Sequence, residues 1–135
     1  MSRYVIDSDA ALRLARDDAS VPSDSQLLAP ALIRSQLLSR LYRSVKNGDI
    51  TKKDADRQLD YVRGLRMRLL GDRVLQRVAW EIAEQLGWPD TLEAEYLALT
   101  RLQADAFVTL DLGLARAAAG IVQTATIDTM LGTTQ

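Results

Sequence analysis

Apolar positions along this chain alternate between short continuous runs and longer stretches at helical spacing. Tyr4-Val5-Ile6 is the first run and has β character. Asp7-Ser8-Asp9 follows with turn and helix-capping chemistry, and Ala10 to Ala15 then predicts a short helix with Leu12 and Ala15 on one face. Asp17 to Ser25 is polar, contains Pro22 and predicts a loop, after which Gln26-Leu27-Leu28-Ala29 predicts a second strand. Pro30 suits the first turn of a helix. Ile33, Leu37, Leu41 and Val45 recur at helical spacing beyond it, with Leu38 and Tyr42 widening the stripe, and Gly48 is a natural stop. Thr51 with Asp54 opens another helix, whose buried face is Ala55, Leu59 and Val62 and which Gly64 closes. Met67, Leu69 and Leu70 alternate poorly and read either as a loop or as a third strand.

Asp72 caps the clearest helix, in which Val74, Leu75, Val78, Ala79, Ile82, Ala83 and Leu86 form a broad stripe ended by Gly87 and Pro89. Asp90-Thr91 opens the next, carrying Leu92, Tyr96, Leu99 and Leu102. Ala106-Phe107-Val108-Thr109-Leu110 is the best strand and ends at Asp111. An alanine-rich helix runs to Ala119 with Gly120 as its cap, and Ile121-Val122 with Ala125 predicts a last strand. Strands separated by helical stretches require crossover connections and hence a parallel sheet. The expected fold class is α/β, a three-layer α/β/α sandwich on a small central parallel sheet, in one domain over residues 1–135 with a tail at 128–135.

Composition narrows the chemistry. The 135 residues are 47% hydrophobic with a net charge of −1, enough apolar material for a core and too little charge for disorder. There is no cysteine and no histidine, which removes disulfides, zinc-thiolate sites, the thiol nucleophile, the usual general base and the commonest metal ligand. Any catalysis must run on carboxylates, hydroxyls, Lys or Arg, and carboxylates prefer hard cations such as Mg²⁺ and Mn²⁺. No stretch has signal-peptide or membrane-span length, so a cytoplasmic protein is expected. The balance of 17 basic against 18 acidic residues argues against a surface that coats nucleic acid throughout, and leaves room for a local basic groove.

Ligand sites in open parallel sheets form beyond the carboxyl ends of the strands. Asp7 and Asp111 follow the two best-defined strand ends. Each can be explained as a helix cap, but two such carboxylates on one sheet edge repel, and a divalent cation turns that repulsion into binding. Glu93 is a third candidate ligand, with the far half of a capping box to Asp90 as its alternative. Glu95 reads as a solvated charge. Gln36 stands among apolar neighbours and needs a partner, as a half-buried amide or as part of the site. Asp9 lies close enough to Asp7 to join it. Thr109 has a hydroxyl placed to touch a phosphate, and Trp80 and Trp88 read as core or interface packing.

Four segments in order resemble the PIN domains, in particular the VapC-like toxins of bacterial toxin–antitoxin pairs. Tyr4-Val5-Ile6-Asp7-Ser8-Asp9-Ala10 is similar to the first strand and acid. Ala29-Pro30-Ala31-Leu32-Ile33-Arg34-Ser35-Gln36-Leu37 is similar to the helix with a proline and a later glutamate. Thr91 to Leu99 resembles the segment with Tyr-Asp-Ala, any residue, Tyr. Val108-Thr109-Leu110-Asp111 with Leu114-Ala115 resembles the Val-Thr, any residue, Asp strand end. The resemblance implies a Mg²⁺- or Mn²⁺-dependent endoribonuclease that acts on RNA, a homodimer, and a cognate antitoxin whose C-terminal segment covers the site. It implies Asp7, Gln36, Glu93 and Asp111 as the catalytic group, with Asp7, Glu93 and Asp111 on the metal and Ser8 and Thr109 on the substrate. Gln36 departs from the family's glutamate and removes one negative charge. The alternative it opens is an impaired PIN-like module that binds RNA or antitoxin without turnover. An unrelated doubly wound domain, such as a receiver using Asp7 and Asp9, lacks a central strand ending in a phosphoacceptor Asp.

Overall fold

The computed structural model describes residues 1–132. Five strands form one sheet in the order β3-β2-β1-β4-β5, and every neighbouring pair is parallel. β1 is Ser2–Ile6, β2 Ser25–Pro30, β3 Met67–Leu70, β4 Ala106–Val108 and β5 Thr124–Ala125. The helices are α1 Ser8–Arg16, α2 Ile33–Lys46, α3 Lys52–Gly64, α4 Arg73–Leu86, α5 Leu92–Gln103, α6 Leu112–Ala119 and α7 Ile127–Leu131. α5 lies over β2, β1 and β4 and packs on α4; α1, α2 and α3 pack on one another as the other helical layer. The expected three-layer α/β/α sandwich is the observed architecture.

The strands are short, continuous apolar runs because helices cover the sheet on both faces. Val5, Ile6, Ala29, Phe107 and Val108 are wholly buried. α4 is the clean case of sequence dictating an element. Asp72 Oδ1 accepts from the Leu75 N–H at 2.9 Å at its start, and Gly87 ends it at φ +68°. A Cβ at Gly87 meets no atom within 4 Å, so Gly87→Ala is expected to cost about 1–2 kcal/mol through the left-handed backbone alone. A denaturant midpoint lowered at unchanged slope would report it.

Several elements differ from the expectation. Pro30 ends β2, opposite Leu70 of β3, instead of opening α2; the helix starts at Ile33 with no side-chain cap. A proline at the last rung forgoes one ladder bond at the point where the strand leaves the sheet. Met67–Leu70, open between loop and strand in the sequence, is a strand. β4 stops at Val108, two residues before the expected end, and the last strand is Thr124–Ala125 with Ile121-Val122 in the preceding turn. Leu38, Tyr42, Val74, Leu92, Leu102 and Trp80 are exposed, so the real stripes are narrower than the apolar pattern; Trp88 does pack against the core. The segment expected as a tail from residue 128 contains most of α7, where Met130 is buried and its carbonyl accepts from the Ser25 hydroxyl at 3.0 Å. Residues 133–135 lie outside the described residues.

Candidate active site at the carboxyl ends of β1 and β4

The strand order places a topological switch point between β1 and β4, since the chain leaves β1 for β2 on one side and returns to β4 on the other. Crevices at such points are where open α/β sheets bind ligands. Val5 pairs with Phe107 and Ile6 with Val108, so Asp7 and Thr109 emerge side by side. Both aspartates are helix caps. Asp7 Oδ1 accepts from the Ala10 N–H at 3.0 Å, and Asp111 Oδ1 from the Leu114 N–H at 3.0 Å. Capping engages one oxygen of each and leaves the second for other partners, so the structural role and the site role coexist on the same side chains.

Thr109 joins the two. Its hydroxyl donates to Asp7 Oδ2 at 2.5 Å and accepts from the Asp111 N–H at 3.2 Å. Asp111 Oδ2 carries no hydrogen bond among the described residues. Gly113 gives room to the capping oxygen instead: a Cβ there would stand 3.3 Å from Asp111 Oδ1.

Asp7 is 8% exposed. Burial pushes its carboxyl above the usual range, and Asp9 adds to the rise; the Thr109 and Ala10 hydrogen bonds and the Arg40 charge oppose it. Glu93, though open to solvent on one side, is also raised, first by lost hydration and then by the charges of Asp111, Asp90 and Asp7. These carboxylates therefore share one field. The capping box does not form: Thr91 makes no side-chain cap, and Asp90 Oδ1 accepts from the Leu92 N–H at 3.0 Å. Glu95 is half-buried and raised by desolvation, not the freely solvated charge expected.

Gln36 is half-buried, and its Oε1 accepts from the Tyr96 hydroxyl at 2.5 Å. Tyr96 is nearly wholly buried, with its ring 6.1 Å from Phe107, and its hydroxyl is held protonated by burial first and by the Asp7 charge second. Tyr96 thus carries the core's rigidity to Gln36. The sequence shows Tyr96 only as one more stripe residue. Arg40 is the second residue it hides: it pairs with Asp9 and lines a cleft with Ser8 and Gln36. Ser8 is buried at the first position of α1.

Among the described residues no three acidic side chains are drawn together as a ready-made metal cage. The donors are nonetheless all oxygen, and Glu93, raised first by lost hydration, is raised further by the charges of Asp111, Asp90 and Asp7. That set fits a hydrated Mg²⁺ or Mn²⁺ held by one or two carboxylates, the usual protein share for Mg²⁺.

The Thr109 bridge gives a pH prediction. Its hydroxyl stabilises ionised Asp7, so Thr109→Val is expected to raise the Asp7 carboxyl further. Carboxyl NMR titration would read the shift, and an unmoved or lowered midpoint would contradict the hydrogen bond's role.

No family model matches this chain. No curated protein matches it in sequence. Solved structures do. PAE2754 from Pyrobaculum aerophilum superposes with a TM-score of 0.76 at 21% identity, over 97% of this chain and 93% of that one. A chain of VapBC2 from Rickettsia felis, solved bound to a DNA fragment from its promoter, superposes with a TM-score of 0.63 at 11% identity, over 92% of this chain and 98% of that one. The fold is PIN-like. At these identities the likeness is one of backbone course. The PIN-like sheet brings Asp7, Thr109 and Asp111 to one edge, and the chemistry there rests on this chain's own side chains.

Proposed function

We propose that this PIN-like chain is a divalent-metal-dependent endoribonuclease and the toxin of a toxin–antitoxin pair. The observation that carries the reading is the pairing of Asp7 and Asp111 at adjacent parallel strand ends, bridged by Thr109, with Glu93 in the same field. Asp7 and Asp111 are the residues to hold Mg²⁺ or Mn²⁺, with Glu93 beside them. Bound there, the ion supplies a water of lowered pKa and neutralises charge on the phosphate oxygens. Glu93 takes the proton released by the attacking water at its carboxylate, for which a raised proton affinity suits it. Thr109 orients Asp7, and Tyr96 holds Gln36 in place. A homodimer and an antitoxin that covers the crevice complete the reading; the likeness to a chain of VapBC2 supports it at the level of fold.

RNA incubated with the purified chain is expected to be cut in Mn²⁺ and left whole in EDTA. Cleavage that continues unabated in EDTA would reject the metal. One observation favours a second reading, a module that binds RNA or antitoxin without turning over: the Gln36 oxygen is already taken by Tyr96, and the position carries no charge. Intact RNA in Mn²⁺ would select it.

A further inference from the structure

We propose that the solvent face of α2 is the track that holds the RNA strand leading away from the cut, with Arg40 and Arg43 as its phosphate-positioning residues. The proposal rests on the nuclease reading and adds to it the residues that place the substrate. α2 carries Arg34, Arg40, Arg43 and Lys46 and no acidic residue, in a chain whose net charge is −1. The buried face, Ile33, Leu37 and Leu41, uses none of them. Gln36, Arg40 and Arg43 fall at i, i+4 and i+7, one face of the helix, and Arg43 stands roughly 10 Å along the axis from Gln36 at about 1.5 Å per residue. These three line a cleft of ≈ 260 Å³ with Ser8, Ser35 and Ser39.

The cleft borders the start of α1, beside Asp7. Ser8 follows Asp7 in the chain, and Arg40 pairs with Asp9. Arg43 is exposed and has no acidic partner among the described residues. Near the end of the helix the Lys46 ammonium lies 6.0 Å from the centre of the Tyr42 ring, and Tyr42 is 63% exposed. Tyr42 stands about 100° around the helix from Arg43, outside the cleft, so the cations are what this face offers to a phosphate backbone. On the nuclease reading the polyanion that matches these cations is RNA, and an acidic protein segment is the rival occupant that the competition below separates from it.

The test reads binding without turnover: fluorescence anisotropy of a labelled, mixed-sequence single-stranded oligoribonucleotide in EDTA, over a series of salt concentrations. Arg43→Glu is expected to weaken binding about 10-fold, and Arg43→Ala to lower the log–log salt slope by about 0.7, one phosphate contact on a single strand. Arg77→Glu on α4, the same charge change on another exposed surface, is expected to bind as the wild type does. Equal weakening by Arg77→Glu, unchanged binding in Arg43→Glu, or no salt-dependent binding by the wild type would each overturn the track. Displacement of the RNA by a polyglutamate peptide at equal concentration would also overturn it, in favour of an acidic protein occupant. In Mn²⁺, Arg43→Glu is expected to raise KM and leave kcat. Arg43-dependent binding without any cleavage would reject the nuclease reading and keep the track; cleavage at an unchanged KM in Arg43→Glu would do the reverse.

Discussion

Replacing Asp7 with Asn is expected to lower RNA cleavage in Mn²⁺ by at least about 100-fold while leaving the protein as stable as before or more so. The two effects have separate causes. Cleavage falls because an amide contributes no negative charge to the metal. Stability holds because Asn caps helices as well as Asp does, so the bond from the Ala10 N–H survives, and the Thr109 hydroxyl can turn to accept from the new amide. The buried charge, meanwhile, is gone. The native Asp7 carboxyl binds its proton more tightly than an exposed one, whose value is 3.8. The folded state therefore holds more protons than the unfolded state in the window from 3.8 up to the raised native value, and metal-free stability falls as pH rises through it. Asp7→Asn should lack that decline. Thermal melts of both proteins on either side of the window, run in EDTA, would show it. Full activity in the variant would remove Asp7 from the chemistry, and a large loss of stability would mean that its carboxylate chiefly holds the fold.

Gln36→Glu is expected to act in the opposite direction on both counts. A carboxylate at 36 still accepts from the Tyr96 hydroxyl, now as a charge-assisted bond, and it adds a negative charge near Asp7. Mn²⁺ affinity should rise by about 10-fold or more, within the range by which single groups around a metal change affinity. Cleavage should rise with it. Without metal the extra like charge should lower the melting temperature, so the stabilisation produced by saturating Mn²⁺ becomes larger than in the wild type. Calorimetric titration with Mn²⁺ is the direct measure. Weaker binding than wild type would mean that position 36 does not face the ion, and that Gln36 serves only as the acceptor for Tyr96.

Much of this arrangement is legible in the chain. Strands of a parallel sheet covered on both faces must be short and continuously apolar, which is why Tyr4-Val5-Ile6 and Ala106-Phe107-Val108 stand out. Side-chain acceptors stabilise helix starts, which is why Asp7, Thr51, Asp72 and Asp111 mark four of them. Pro30 misleads because its fixed φ suits a helix's first turn and a strand's last residue alike. α7 is too short to show a period, and only the docking of Met130 distinguishes it from a tail. Leu38 and Tyr42 look like core because hydrophobicity records what a residue tolerates, and burial depends on where the neighbouring helices stop.

The order of residues by itself determined most element types, the parallel sheet and the two aspartates at strand ends, all consequences of local periodicity and capping. Tertiary structure alone decided that β1 and β4 are neighbours, that Thr109 links aspartates 104 residues apart in sequence (111 − 7), and that Tyr96 reaches Gln36 across the molecule. Pairing between distant segments is chosen by how well whole faces pack, and no local window of the chain carries that information.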